Sequence, residues 1–239
     1  MINPVNSLMT TAVPDVHPDV RMWLIDLDAP GAEAGAMLLS SDETARAARF
    51  VFDRHRRRFI AGRAALRRIL AAEAGGAPEK VAFAYSPAGK PSLSGAIAPT
   101  VHFNLSHSDQ WALVAVTRLG AVGVDIEKQR PLPDVLRLAQ TAFSPAELEE
   151  LRGVPASRQQ DAFFAGWTRK EAYIKARGDN LAVLHNFDVS LAADRPRLVR
   201  VADAPSEPER WSFSSFVPVP GYAGALCVER ATSSSADRR

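Results

Sequence analysis

The segment Ala121-Val122-Gly123-Val124-Asp125-Ile126-Glu127 constrains this chain more than any other. Its strict alternation has the period of a β-strand, whose side chains turn to opposite faces at each step. Val122, Val124 and Ile126 form one face, which has to be buried. Gly123, Asp125 and Glu127 form the other. Two carboxylates then stand about 6–7 Å apart along the strand, and they repel each other unless a cation lies between them. Gly123 removes a side chain beside them, which predicts room for a ligand. A solvated strand face ending in a turn is the plainer alternative.

A second segment sharpens the choice. From about Ser157 to Arg177 the apolar spacing predicts a helix, ended by Gly178. At 100° per residue, Phe163, Phe164, Trp167 and Ile174 share one arc of about 100°, and Glu171 falls inside it. Lys170 and Lys175 fall just outside its two edges. A carboxylate in an apolar stripe needs a compensating cation or metal. An ordinary exposed Glu171–Lys175 pair accounts for the pairing but not for the place of Glu171 in the stripe. Asp125, Glu127 and Glu171 together make three hard oxygen donors, a set suited to Mg²⁺ rather than zinc. There is no CxxC and no HExxH, so a soft-metal site has no support. Nor is there a GxxxxGK[ST] or GxGxxG loop for an ordinary nucleotide fold.

Around these segments the pattern is mixed. Val20 to Asp26 predicts a strand, and about Arg54 to Ala74 a helix closed by Gly75-Gly76. Strands follow at Val81 to Tyr85, Trp111 to Thr117 and Ala121 to Glu127. Pro131 and Pro133 mark a crossing segment. Val135 to Phe143 is helix-like. Ser144-Pro145-Ala146-Glu147 is a capping-box start, with Ser at the N-cap and Glu three residues on. Further strands are predicted at Phe187 to Leu191, Leu198 to Val201, Trp211 to Val217 and Tyr222 to Glu229. The fold class is therefore α+β, in two similar-sized subdomains, 20–128 and 129–230. Residues 1–19 read as a loose leader and 231–239 as a disordered tail.

Nine arginines, Arg46, Arg49, Arg54, Arg56, Arg57, Arg58, Arg63, Arg67 and Arg68, crowd one stretch with only Asp53 opposing them locally. The guanidinium fork suits phosphate. A nucleic-acid surface or a solvated helix face are the other readings. The net charge of only +2 and sparse aromatics argue against nucleic acid. Gly89-Lys90-Pro91 precedes Val101-His102-Phe103-Asn104-Leu105-Ser106-His107-Ser108. There Lys90, Ser106 and Ser108 could form a phosphate-ready loop. Neither serine lies in a G-x-S-x-G elbow. The single cysteine, Cys227, sits in an apolar run and reads as a small buried hydrophobe. With no second thiol, no secretory signal and no apolar run of about 20 residues, the expectation is a soluble protein of the cytoplasm with no membrane partner.

Taken in order, Gly89-Lys90-Pro91, Phe103-Asn104-Leu105-Ser106-His107-Ser108, Gly123-Val124-Asp125-Ile126-Glu127 and Trp167-Thr168-Arg169-Lys170-Glu171-Ala172-Tyr173-Ile174-Lys175 resemble the Sfp-type 4′-phosphopantetheinyl transferases. The match covers roughly residues 46–181. The resemblance implies a monomer of two pseudo-symmetric halves with coenzyme A in the cleft between them. It implies Mg²⁺-dependent transfer of phosphopantetheine to a serine of an acyl or peptidyl carrier protein. Asp125, Glu127 and Glu171 match the family's metal-site acids, and in the mechanism expected from this match Glu171, directly or through a water, takes the serine proton. Lys175 matches the lysine near the pyrophosphate. Ser106 and His107 match residues at the nucleotide phosphates, His107 at the 3′-phosphate. Lys90 matches a lysine lining the nucleotide pocket, and Arg46 and Arg58 match coenzyme A contacts. The carrier would dock over Val135 to Arg152. A non-catalytic coenzyme A-binding regulator on the same fold is the alternative. Two positions depart from the family pattern. Glu43 stands where a second basic residue is common, and Gly178-Asp179-Asn180-Leu181 replaces a Gly-x-Gly-Leu turn.

Overall fold

Residues 10–95 and 101–231 are described in the computed structural model. The first half contains strands β1 (Thr10–Ala12) and β2 (Val20–Asp26), then helices α1 (Ser41–Ala48) and α2 (Asp53–Ala74). A short hairpin, β3 (Ala82–Tyr85) and β4 (Pro91–Ser94), leads to β5 (His102–Ser108) and β6 (Trp111–Thr117), and β7 (Val122–Lys128) opens the second half. The second half continues with helices α3 (Val135–Ala139), α4 (Pro145–Gly153) and α5 (Ala156–Arg177). It ends in strands β8 (Phe187–Val189), β9 (Leu198–Val201), β10 (Trp211–Phe216) and β11 (Tyr222–Glu229).

The strands form a sheet of order β1-β2-β6-β5 and another of order β10-β11-β7, with β3-β4 and β8-β9 as separate pairs. All the ladders are antiparallel. Alternation assigns the faces. On the first sheet Trp23, Ile25, Val114 and Val116 pack under α2 through Leu66, Ile69 and Leu70. The opposite face, Met22, Leu24, Leu113 and Ala115, meets Val122, Val124, Ile126, Leu226 and Val228 of the second sheet. The far side of that sheet packs Ala225 and Cys227 under Ala172, Tyr173 and Ala176 of α5. The order of layers is thus α2, sheet, sheet, α5. Each fully buried Leu, Ile or Val in such layers contributes about 1.5–3 kcal/mol.

The two long helices are anchored by the same device. Ser40 and Glu43 form a capping box at α1, and the Glu43 carboxylate turns inward to the buried Arg67 of α2 at 2.7 Å. Ser144 and Glu147 form a capping box at α4, and Glu147 receives the fully buried Lys170 of α5 at 2.7 Å. Each carboxylate therefore caps one helix and neutralises a cation on the next. Both long helices stop at a left-handed glycine, Gly75 and Gly178.

Several expectations change. Residues 10–16 are not a loose leader. Thr10 to Ala12 pair with Trp23 to Ile25, and Val13 and Val16 pack on the core between the sheets. Residues 1–9 and 232–239 lie outside the described residues. The helix at Val135 ends at Ala139 rather than running to Phe143. β7 hydrogen-bonds to β11, so the strand expected to close the first half belongs to the second sheet. Cys227 is buried, as its apolar run implied. No described helix is long and apolar enough to cross a membrane.

Candidate active site

β5 and β7 run side by side at the seam between the two sheets, and side chains join them. Val124 N donates to Asn104 Oδ1 at 2.9 Å. Ser106 Oγ donates to Asp125 Oδ1 at 2.7 Å, and Ser108 Oγ to Glu127 Oε2 at 2.8 Å. The polar run 102–108 is therefore a strand, not a phosphate-ready loop. Its hydroxyls alternate onto the side where the β7 acids need donors.

Gly123 has a different role from the one its spacing suggested. A Cβ there would lie 2.0 Å from the Ala172 carbonyl oxygen and 2.3 Å from Ala176 N. The missing side chain lets the backbone of α5 lie directly on β7 and leaves no ligand space. This close approach brings α5 side chains against the acids. Trp167 Nε1 donates to Glu127 Oε1 at 3.2 Å. Lys175 Nζ donates to Asp125 Oδ1 at 2.5 Å and to Ser106 Oγ at 2.9 Å, and lies 3.8 Å from Glu171 Oε2.

Three carboxylates thus share a poorly solvated place with one ammonium. Asp125 is 2% exposed, and its Oδ2 has no hydrogen-bond partner. Burial, then the charge on Asp125, raises the Glu127 pKa. Burial raises Glu171 to about 7; Lys175 opposes this, while Asp125 and Glu127 add to it. A carboxyl group titrating near neutrality beside two others is matched to accepting a proton at physiological pH.

A cavity of about 1240 Å³ opens beside this cluster, lined from the first half by Arg46, Arg58, His107 and Ser108 and from the second by Glu127 and Trp167. Arg46 stacks over Phe59 with its guanidinium carbon 5.5 Å from the ring centroid. Arg58 reaches the cavity wall already engaged. It donates twice to Asp28, at 2.7 and 2.6 Å, and once to Asp109 at 2.9 Å. These acids raise its pKa further. His107 stands on β5 with its ring reaching solvent. Protein packed around it, then Lys175 and Arg58, lowers its pKa. Lys90 stands apart: Gly89 and Pro91 line the cavity, while the Lys90 ammonium donates to the carbonyls of Ala176 and Val122.

The sequence reading missed Asn104, Ser108 and Trp167 as partners of the β7 strand. Apart from Asp53, which it named, it also missed the acids that pair with the arginine-rich stretch. Glu43 pairs with Arg63 and Arg67, Asp53 with Arg56 and Arg57, and Asp28 and Asp109 with Arg54 and Arg58. Six of the nine arginines are thus paired within the chain by four acids. Glu43, odd as a phosphate contact, is explained as the buried hub of these pairs.

Residues 32–119 match a family model described as 4′-phosphopantetheinyl transferase, N-terminal. Residues 121–227 match the model of the 4′-phosphopantetheinyl transferase superfamily. The 4′-phosphopantetheinyl transferase HetI of Nostoc sp. is 42% identical over 213 residues, which cover 88% of this chain and 87% of the relative. This chain belongs to the 4′-phosphopantetheinyl transferase superfamily. The 4′-phosphopantetheinyl transferase psf-1 of Bacillus pumilus is 33% identical over 195 residues, 80% of this chain and 79% of the relative. The 4′-phosphopantetheinyl transferase Sfp of Bacillus subtilis is 28% identical over 191 residues, 80% and 82% of the two chains. The junction of the two matched segments, between 119 and 121, falls just before β7.

In a phosphopantetheinyl transferase these acids raise the question of a divalent ion. Among the described residues no three His, Cys, Asp or Glu side chains converge on one point. Lys175 stands against Asp125, where a shared ligand atom would be wanted. The donor chemistry nevertheless fits a hard cation. All three groups are carboxylates, the Asp125 Oδ2 is buried and unpaired, and burial, with a smaller contribution from the two neighbouring acids, already disfavours the ionised form of Glu171.

Proposed function

We propose that this phosphopantetheinyl transferase moves the phosphopantetheine arm of coenzyme A to a serine of an acyl or peptidyl carrier protein, releasing 3′,5′-ADP. The observation that carries the reading is the meeting of Asp125 and Glu127 from β7 with Glu171 and Lys175 from α5 beside a cavity lined by both halves. The serine oxygen attacks the β-phosphorus of coenzyme A, and the bond from that phosphorus to the bridging oxygen breaks. Glu171, titrating near neutrality, takes the serine proton. Lys175 donates to the 5′-phosphate of the departing 3′,5′-ADP, where the bridging oxygen takes up the charge. Arg46 and His107 at the cavity wall, with Arg58 behind them, hold the nucleotide phosphates. Asp125, Glu127 and Glu171 would hold Mg²⁺, which supplies charge neutralisation at the pyrophosphate. Ser106 and Ser108 orient Asp125 and Glu127 for that duty.

The two anchored helices, each with its capping-box carboxylate, support two pseudo-symmetric halves with the active site in the cleft between them. We draw their boundary near residue 120 because β7 pairs with β11. We further read the enzyme as a cytoplasmic monomer, since one chain lines the cavity from both sides and its single thiol is buried. The carrier docks over Val135 to Arg152, where Leu138 is exposed at the cavity edge. Reversing the charges of Glu149 and Arg152 should raise the carrier KM more than the coenzyme A KM. Glu150 is unsuited to that test, because it accepts the Leu191 amide at 2.8 Å. Asp125→Ala and Glu171→Ala, each folded by circular dichroism, should have lost transfer. Near-normal turnover by either would remove that acid from the site.

A further inference from the structure

The turn between β3 and β4 is built to aim one side chain. Gly89 takes a left-handed φ of 84°, its amide donates to the Ser86 carbonyl at 2.8 Å, and Lys90 N donates to Ser86 Oγ at 3.1 Å. This sends Lys90 out of the first half and under the end of α5. Its ammonium donates to Ala176 O at 2.5 Å and to Val122 O at 3.2 Å. Ala176 lies in the last turn of α5, where carbonyls lack intrahelical donors and the helix dipole favours a cation. A Cβ on Gly178 would lie 3.2 Å from Lys90 Cδ, so the stem packs beneath the helix cap. Burial lowers the amine to about 8.

The two carbonyls belong to the two elements that make the site. Val122 opens β7, which carries Asp125 and Glu127, and Ala176 follows Lys175 on α5. Close packing at Gly123 sets how near α5 lies to β7. A donor shared between their carbonyls resists sliding of one along the other. We infer that the Lys90 side chain is a positioning group for the transfer reaction, strapping the end of α5 to the start of β7 so that Glu171 and Lys175 face Asp125, with its ammonium held by these two carbonyls rather than by the nucleotide. This rests on the transferase reading of the same site. It replaces the pocket contact that the family resemblance assigns to Lys90.

Lys90→Met keeps the stem and removes the charge and donors. Its kcat should fall about tenfold or more, since small misplacements of reacting groups cost up to about a hundredfold. The coenzyme A KM, and the coenzyme A Kd from calorimetry, should stay within about twofold of the parent values. Lys90→Arg, which can still donate to both carbonyls, should recover a substantial part of kcat. A large rise in coenzyme A KM or Kd with kcat retained would overturn the inference in favour of a nucleotide contact. Unchanged constants in Lys90→Met would overturn it as well. If Lys90→Met does not fold, Lys90→Arg decides alone: coenzyme A affinity should hold, and its loss refutes positioning. The parent enzyme runs in the same assay, and absence of transfer there would strike the proposed function instead.

Discussion

Glu171→Gln separates the cost of burying a charge beside Asp125 and Glu127 from the work that charge does. The Glu171 side chain is 14% exposed, and burial raises its pKa from 4.5 to about 7. The folded state therefore binds this proton more tightly than the unfolded chain. The stability so conferred is full below pH 4.5 and is lost as the pH rises to about 7. The difference between the two protonation states is about 3 kcal/mol. Glutamine mimics the neutral acid at every pH. In chelator, the variant should match the parent near pH 4.5 and exceed it by up to about 3 kcal/mol at pH 8. For a chain of this size that is a gain of about 6–12 °C in Tm. Thermal or urea unfolding at the two pH values reads the difference. Transfer should be lost in the same variant, so stability and activity move in opposite directions. Equal stability at pH 8 would refute the reasoning, because the ionised carboxylate would then carry no burial penalty.

Other consequences follow from the packing. Gly123→Ala puts a methyl group 2.0 Å from a carbonyl oxygen of α5 and should cost at least about 3 kcal/mol, read from the urea midpoint. Lys170→Met strands the buried Glu147 and should cost about 3–5 kcal/mol. Adding Glu147→Gln should recover much of that loss, and purely additive costs would contradict a coupled pair. Cys227, buried and with its thiol pKa pushed up by that burial, should react with thiol reagents only as fast as the protein unfolds.

Periodicity made much of this architecture legible. The alternation at 121–127 predicts β7 and its buried face, and the arc on α5 predicts an acid that needs a cation. What periodicity lacks is the identity of the partner. Gly123 reads as open space because the sequence does not say that α5 lies on it. Lys170 and Arg169 fall outside the apolar arc yet are fully buried. Their compensation comes from elsewhere in the chain: Glu147 for Lys170, and the Ser190 and Ala192 carbonyls for Arg169. The run 102–108 looks like a loop because its hydroxyls serve a neighbouring strand rather than solvent. The same blindness to distant partners hid Asp28 and Asp109, which occupy the guanidinium of Arg58.

Mass spectrometry of apo-carrier proteins incubated with this enzyme, coenzyme A and Mg²⁺ tests the central claim most directly. One serine of a carrier should gain the mass of a single phosphopantetheine, with 3′,5′-ADP formed in equal amount, and Asp125→Ala should yield neither. An unmodified panel of folded carriers with the parent enzyme, or modification that persists in Asp125→Ala, would contradict the account.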